Sequence, residues 1–185
     1  MNRRNLVFVL CTVIGIVLDQ ATKAWIVANV ELYVGRITVI PGFIDIVHAK
    51  NPGAAFGMLG DFAYRHYVFV LFTIIAAIVI VDMFRKLPEN DWFMSSALGL
   101  ILSGAAGNAI DRVLHQEVTD FVRVYIDALS FEWPSFNVAD AALVVGVGML
   151  VVHYTFFDDS RKSGDGGDPK PPEHDASPEP PGPSA

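Results

Sequence analysis

The chain has 185 residues, of which 52% are apolar, with a net charge of -7 and a mean hydropathy of +0.42. That apolar content is high for a soluble domain. Seven acids against three bases fall in residues 158–185, so most of the negative charge lies in one terminal segment and the remainder shows no basic surface for nucleic acid. One cysteine, Cys11, excludes an internal disulfide and a thiolate metal site.

Four stretches, residues 6–28, 67–84, 92–110 and 138–157, reach the roughly 17 to 25 mostly apolar residues that a hydrocarbon core requires. Arg3 and Arg4 precede the first, Arg85 and Lys86 follow the second, and Arg161 and Lys162 follow the fourth. Such flanking bases accumulate on the cytoplasmic side, which puts both termini inside and the two longer connectors outside, although the latter carry Arg36, Lys50, Arg65 and Arg123. The basic, then apolar, start imitates a secretory leader. No small-x-small site follows closely, however, and the apolar pattern resumes after Lys23, so the first span is expected to be retained.

The first span carries Asp19 and Lys23, four residues apart and therefore on one helix face. At about 1.5 Å per residue Asp19 lies roughly 20 Å from the inner end, in the outer half. For Lys23 an internal ion pair or a snorkelling side chain is the favoured reading. For Asp19 an ion pair and a functional role stand level. Residues 36–40 and 43–49 are then rich in β-branched side chains on either side of Pro41 and Gly42, the order that suits a type II turn. A small hairpin at about 32–50 is expected there, leaning on headgroups or neighbouring helices because a lone hairpin is marginal in water. Residues 51–57 follow, where Asn51 offers both a donor and an acceptor and Gly53 allows close backbone approach; alone, this would read as an ordinary surface turn.

The second span is uncharged until Asp82 and reads as scaffold, and residues 87–91 make a tight inner turn before Trp92. Along the third span Gly104, Gly107, Asn108 and Asp111 fall at i, i+3, i+4 and i+7 on one face, with Arg112 beside it. The glycines read as a packing seam, whereas the Asn108 amide needs partners near the membrane. Asp120 follows in a short polar connector, where taken alone it would be a solvated loop acid. Asn137 and Asp140 open the fourth span with N-cap and N3 spacing, a structural role that competes with chemistry for Asp140. The fourth span is apolar to about His153. Residues 158–185, with seven prolines, read as a disordered cytoplasmic tail.

These polar residues all fall in the outer half or at the outer face, which favours one site. The chain contains no H-E-x-x-H or G-x-S-x-G pattern, and Cys11 has no histidine near it in sequence. Carboxylate chemistry is left: two facing aspartates that share a proton can activate water and polarise an amide carbonyl. A proton-coupled transporter is the main rival, but its carboxylates belong near midplane; a non-catalytic scaffold is the third reading.

Five motifs, in order, resemble the lipoprotein signal peptidases, the type II signal peptidases: Asp19 and Gln20 with Lys23, then residues 51–57, 104–112, 118–121 and 136–140. The likeness spans about residues 6–157, with Ser103 where a glycine is expected before Gly104. It implies an all-α membrane protein, with four transmembrane helices and a small extracytoplasmic β-cradle between the first and second, in residues 1–157. It further implies an aspartic endopeptidase of the bacterial inner membrane that cleaves prolipoproteins before a diacylglyceryl-modified cysteine. Asp120 and Asp140 match the catalytic pair. Asp19, Lys23, Asn51, Gly53, Phe56, Asn108, Asp111, Arg112 and Asn137 match positions that support the site or bind substrate. The expected partners are prolipoprotein substrates and membrane lipids, with no metal or other cofactor, no nucleic acid and a monomeric state.

Overall fold

The computed structural model describes residues 2–53 and 64–156, and these form four long helices and one four-stranded sheet. The helices are α1 (Arg3–Asn29), α2 (Arg65–Lys86), α3 (Trp92–His115) and α4 (Val138–Phe156). All four are long and apolar enough to cross a membrane. Residues 158–185 and positions 54–57 of the second motif, Phe56 included, lie outside the described residues.

Helix α3 is the centre of the bundle and packs against each of the other three. Small side chains make this possible. A Cβ at Gly104 would strike the Ala139 carbonyl of α4, and one at Gly107 would run into the Asp19 carboxylate of α1. Ser103 is tolerated because Gly15 faces it from α1, leaving room for its hydroxyl, which donates back to Leu100 O at 2.8 Å. The outer faces of α1, α2 and α4 expose Val13, Val17, Phe72, Ile78, Val144 and Val151, as lipid-facing surfaces do.

At the end of the bundle where α1 and α3 finish lies the sheet, formed by β1 (Arg36–Ile40), β2 (Ile44–Asn51), β3 (Val118–Ile126) and β4 (Phe131–Phe136) in that order, all antiparallel. The hairpin turns at Gly42, whose φ of +77° suits glycine, and the Phe43 N–H closes on Ile40 O at 3.0 Å. The expected two-stranded platform is thus half of the sheet. What reads in sequence as a short polar connector after the third span supplies the other half, and the pairing of β2 with β3 joins the two connectors. An ion-pair ladder crosses all four strands: Arg36 to Asp45 at 3.5 Å, Asp45 to Arg123 at 3.4 Å, and Arg123 to Glu132 at 2.7 Å. The sheet is seated on α1 through Ile26, Val30 and Phe121, with Ile46, Val122 and Val138 packed around them. His48 of β2 adds an Nδ1–H bond to Val30 O at 2.9 Å.

The opposite end is closed by its own contacts. Arg4 donates to the Leu87 carbonyl in the turn between α2 and α3 and stacks over Phe84 at 5.0 Å, while Arg3 lies over Trp92 at 5.7 Å. Asp91 caps α3 by accepting from Met94 N at 3.0 Å.

Candidate active site

Three chain turns bring the polar residues together. Gln116, at φ +64°, ends α3 and sends the chain into β3 two residues later, so the Thr119 N–H returns to Asp111 Oδ2 at 3.0 Å. Asn137 and Asp140 form a reciprocal cap on α4: Asp140 N donates to Asn137 Oδ1 at 2.9 Å, and Asn137 N donates to Asp140 Oδ2 at 3.1 Å. After β2, Gly53 at φ +87° closes a turn in which its N–H donates to Asn51 Oδ1 at 2.9 Å.

Beneath these lies a buried charge cluster. Lys23 Nζ sits 2.9 Å from Asp19 Oδ2 and 3.1 Å from Asp111 Oδ2, with the three residues between 0% and 4% exposed. Gln20 Nε2 contacts Asp19 Oδ2 at 3.1 Å, Asp111 Oδ1 at 3.1 Å and Gly107 O at 3.2 Å, satisfying oxygens that burial would otherwise leave expensive. Each acid also grips one backbone N–H: Asp19 Oδ1 takes that of Ala139 at 2.9 Å, and Asp111 Oδ2 that of Thr119. Ala139 immediately precedes Asp140, and Thr119 immediately precedes Asp120. The cluster therefore anchors the chain immediately before Asp120 and Asp140.

Those two aspartates are linked by amides. Asn137 Nδ2 donates to Asp120 Oδ1 at 2.7 Å and reaches Asn108 Oδ1 at 3.1 Å; Asn108 Nδ2 donates to Asp140 Oδ1 at 2.7 Å. Asn51 Nδ2 donates to Asp120 Oδ2 at 3.0 Å. Partners that can only donate decide which way each amide points. Lys23 Nζ, 3.1 Å away, claims Asn108 Oδ1; the Asp140 N–H claims Asn137 Oδ1; the Gly53 N–H claims Asn51 Oδ1. In every case the NH₂ is left to face an aspartate. Asp140 spends one oxygen on its cap and turns the other toward Asn108, so capping leaves it available to the site.

Asp120 is 3% exposed. Burial pushes its carboxyl up to about 6, an effect opposed by the Asn51 bond, reinforced by the nearby negative charge of Asp140, and opposed again by the Asn137 bond and by Lys23. Asp140 is half-buried. The pair thus has one shielded and one more open carboxylate joined through Asn137 and Asn108. Among the described residues, no group of three or more His, Cys, Asp or Glu side chains is placed to hold a metal ion.

Residues 11–156 match the family described as signal peptidase (SPase) II. A lipoprotein signal peptidase of Geobacter sulfurreducens is 48% identical over 138 residues, 75% of this chain and 84% of the relative. One from Listeria monocytogenes is 41% identical over 157 residues, 85% of this chain and 97% of the relative. Among solved structures, a bacterial membrane enzyme determined by the in meso method at 1.9 Å resolution superposes with a TM-score of 0.72 at 34% identity, covering 81% of this chain and 93% of that one. The chain belongs to the signal peptidase II family. It is accordingly an aspartic endopeptidase and a multi-pass protein of the bacterial inner membrane.

Within this signal peptidase II, the structure joins Asp19, Lys23, Asn51, Asn108, Asp111, Asp120, Asn137 and Asp140 in one continuous hydrogen-bonded network. Gly53 supports Asn51, and Arg112 lies at the edge, its Nη1 donating to Asn108 O at 3.3 Å. Asp120 is an interior strand residue paired in register with Ala49 of β2, unlike the solvated loop acid its sequence neighbourhood suggests. Lys23 forms the internal ion pair, and Asp19 both pairs with it and holds the start of α4. Thr119, inside the 118–121 motif, accepts from Lys50 Nζ at 2.9 Å through its hydroxyl, and one contributor carries no distinct sequence signal of its own: Phe69, whose ring lies 4.7 Å beneath the Arg112 guanidinium. Gln20 is recognisable only as the neighbour of Asp19.

Proposed function

We propose that this chain removes the signal peptide from diacylglyceryl-modified bacterial prolipoproteins by cutting the peptide bond before the lipidated cysteine, with Asp120 and Asp140 as its catalytic pair. The carrying observation is the linkage of two aspartates from different elements, β3 and the start of α4, through Asn137 and Asn108. Curated relatives that bear the name lipoprotein signal peptidase support the substrate class.

Buried Asp120, with its carboxyl raised to about 6, is assigned the shared proton. Asp140, which accepts N–H bonds at the head of α4, is assigned the ionised role. Asp140 takes a proton from water as the hydroxide oxygen adds to the scissile carbonyl carbon, and Asp120 donates to the carbonyl oxygen. Collapse of the tetrahedral intermediate breaks the C–N bond. The amine leaves with the proton held by Asp140, and the new carboxyl group returns one to Asp120. One water is consumed and the pair regains its starting state without a covalent intermediate.

The network supports a division of labour. Asn51, Asn108 and Asn137 orient the two carboxylates; Asp19, Lys23 and Asp111 hold the backbone beneath them; Arg112 and Gly53 belong to the substrate side, and the family resemblance assigns Phe56 to substrate binding. The flanking bases support a reading in which both termini are cytoplasmic and the site faces the outer leaflet. There acyl chains can remain in lipid while the peptide bond reaches the aspartates. The working unit is a monomer, with membrane lipids as its other partner. Cells whose sole copy is Asp120→Asn or Asp140→Asn are expected to hold normal amounts of folded protein yet accumulate lipidated, uncut precursor. Normal processing by both variants would overturn the assignment.

A further inference from the structure

We infer that Phe69 is a positioning residue for this site, one whose ring seats the Arg112 guanidinium beside the two aspartates and keeps it from closing onto them. The inference rests on the reading of Asp120 and Asp140 as the catalytic pair and names a residue of α2 that acts on it through Arg112.

Arg112 lies within electrostatic reach of Asp140, Asp120 and Asp111. A guanidinium in such company ordinarily forms a forked pair with a carboxylate. Among the described residues, none pairs with it here. Its carbon instead lies 4.7 Å from the centre of the Phe69 ring, and its hydrogen bond goes to the Asn108 carbonyl at 3.3 Å. An aromatic face attracts a cation without neutralising it or using its N–H groups. Arg112 therefore keeps most of its donors for carbonyl oxygens of a bound peptide. A forked pair with Asp140 would consume those donors and obstruct the group assigned to activate water.

The same ring meets the other arm of the site. A Cβ at Gly53 would strike the Phe69 ring along its Cδ2, Cε2 and Cζ edge, so the turn that aims Asn51 at Asp120 is packed directly against it. Phe69 sits in the second turn of α2, and the Thr73 hydroxyl donates to its carbonyl at 3.0 Å. One half-buried aromatic thus touches both the turn that carries Asn51 and the cation beside the aspartates. In sequence it is one apolar residue among many in the second span.

The test uses full-length Phe69→Leu, Phe69→Tyr, Arg112→Met and Phe69→Leu/Arg112→Met enzymes with a diacylglyceryl-modified prolipoprotein peptide, measured from about pH 5 to 8. Phe69→Leu is expected to lower kcat/KM about tenfold, the scale of a partly desolvated cation–aromatic contact. The limb governed by Asp120 should also move to lower pH, because a guanidinium that approaches the aspartates favours their charged form. Phe69→Tyr should restore both, and once Arg112 is Met the further Phe69→Leu change should leave the pH limb in place and cost much less than tenfold, with only the packing of the Asn51 turn still affected. Losses that add in the double variant, with an unmoved pH limb, would show that Phe69 only fills space and would overturn the inference. Failure of the catalytic-pair reading is separable: an active Asp120→Asn enzyme defeats that reading, whereas an inactive one beside a flat Phe69 series defeats only this proposal.

Discussion

Replacing Lys23 with methionine keeps the length of the side chain and removes the ammonium between Asp19 and Asp111, contacts of 2.9 and 3.1 Å. Both acids are then left in surroundings where they are 0% and 4% exposed, with Gln20 and two backbone N–H groups as their remaining donors. Removing one partner of a buried ion pair costs about 3 to 5 kcal/mol, which for a chain of this size lowers the thermal midpoint by about 10 °C. Differential scanning fluorimetry in detergent measures it. Asp111→Asn in the Lys23→Met background should recover part of the loss, since one stranded charge is removed. Peptidase activity should fall further than stability at the assay temperature explains, because Asn108 Oδ1 loses one of the two donors that turn its NH₂ toward Asp140 and keeps only Asn137 Nδ2. A midpoint within about 2 °C of wild type, the range of an ordinary surface change, would refute the account of the cluster.

The raised carboxyl of Asp120 gives a stability prediction with a definite sign. The fold holds this proton more tightly than the unfolded chain does, so its contribution is fully present below about 4 and is lost as pH rises through about 6. Above that range the buried carboxylate costs on the order of 3 kcal/mol. Wild type should therefore lose stability as pH rises from about 4 through about 6, whereas Asp120→Asn, which has no proton to shed there, should show a flatter profile, a difference that paired melting curves read directly. In activity, kcat/KM of the free enzyme should decline as pH rises through about 6. Asn51→Ala removes a bond that favours the charged form and should move that limb upward, as pH–rate profiles would show. Gly104→Ala forces a methyl into the Ala139 carbonyl and should cost about 1 to 3 kcal/mol along with activity. Gly148→Ala, with open space around the added carbon, should be neutral in the same melting and cleavage assays.

Much of the bundle is legible in sequence because lipid demands a simple pattern. Apolar runs mark the four helices, and Pro41 with Gly42 marks the hairpin turn at its observed place. The second half of the sheet is hidden by its pairing. Thr119, Asp120 and Arg123 give residues 118–126 a polar look, yet β3 is sheltered by β2 across a separation of some seventy residues, with Ala49 opposite Asp120 and Lys50 opposite Thr119. No local pattern states that register. β4 contains Pro134, which a strand tolerates at a sheet edge, where β4 lies. The polar residues of the site are individually visible, and the spacing of Asn137 and Asp140 announces their mutual cap. Their linkage is not visible: that Asp19 holds the N–H before Asp140, and Asp111 the N–H before Asp120, emerges only when α1, α3, β3 and α4 converge. Phe69 is hidden for another reason, since an aromatic that carries a cation looks in sequence like one that faces lipid.

The most direct test of the central claim is cleavage by the purified enzyme of a synthetic prolipoprotein whose cysteine carries diacylglycerol, with both products identified by mass spectrometry. The account predicts a mature fragment beginning at the lipidated cysteine, with loss of at least about a thousandfold in rate for Asp120→Asn and for Asp140→Asn while melting curves report folded protein. Cleavage at another bond, or near-normal turnover by either variant, would contradict it.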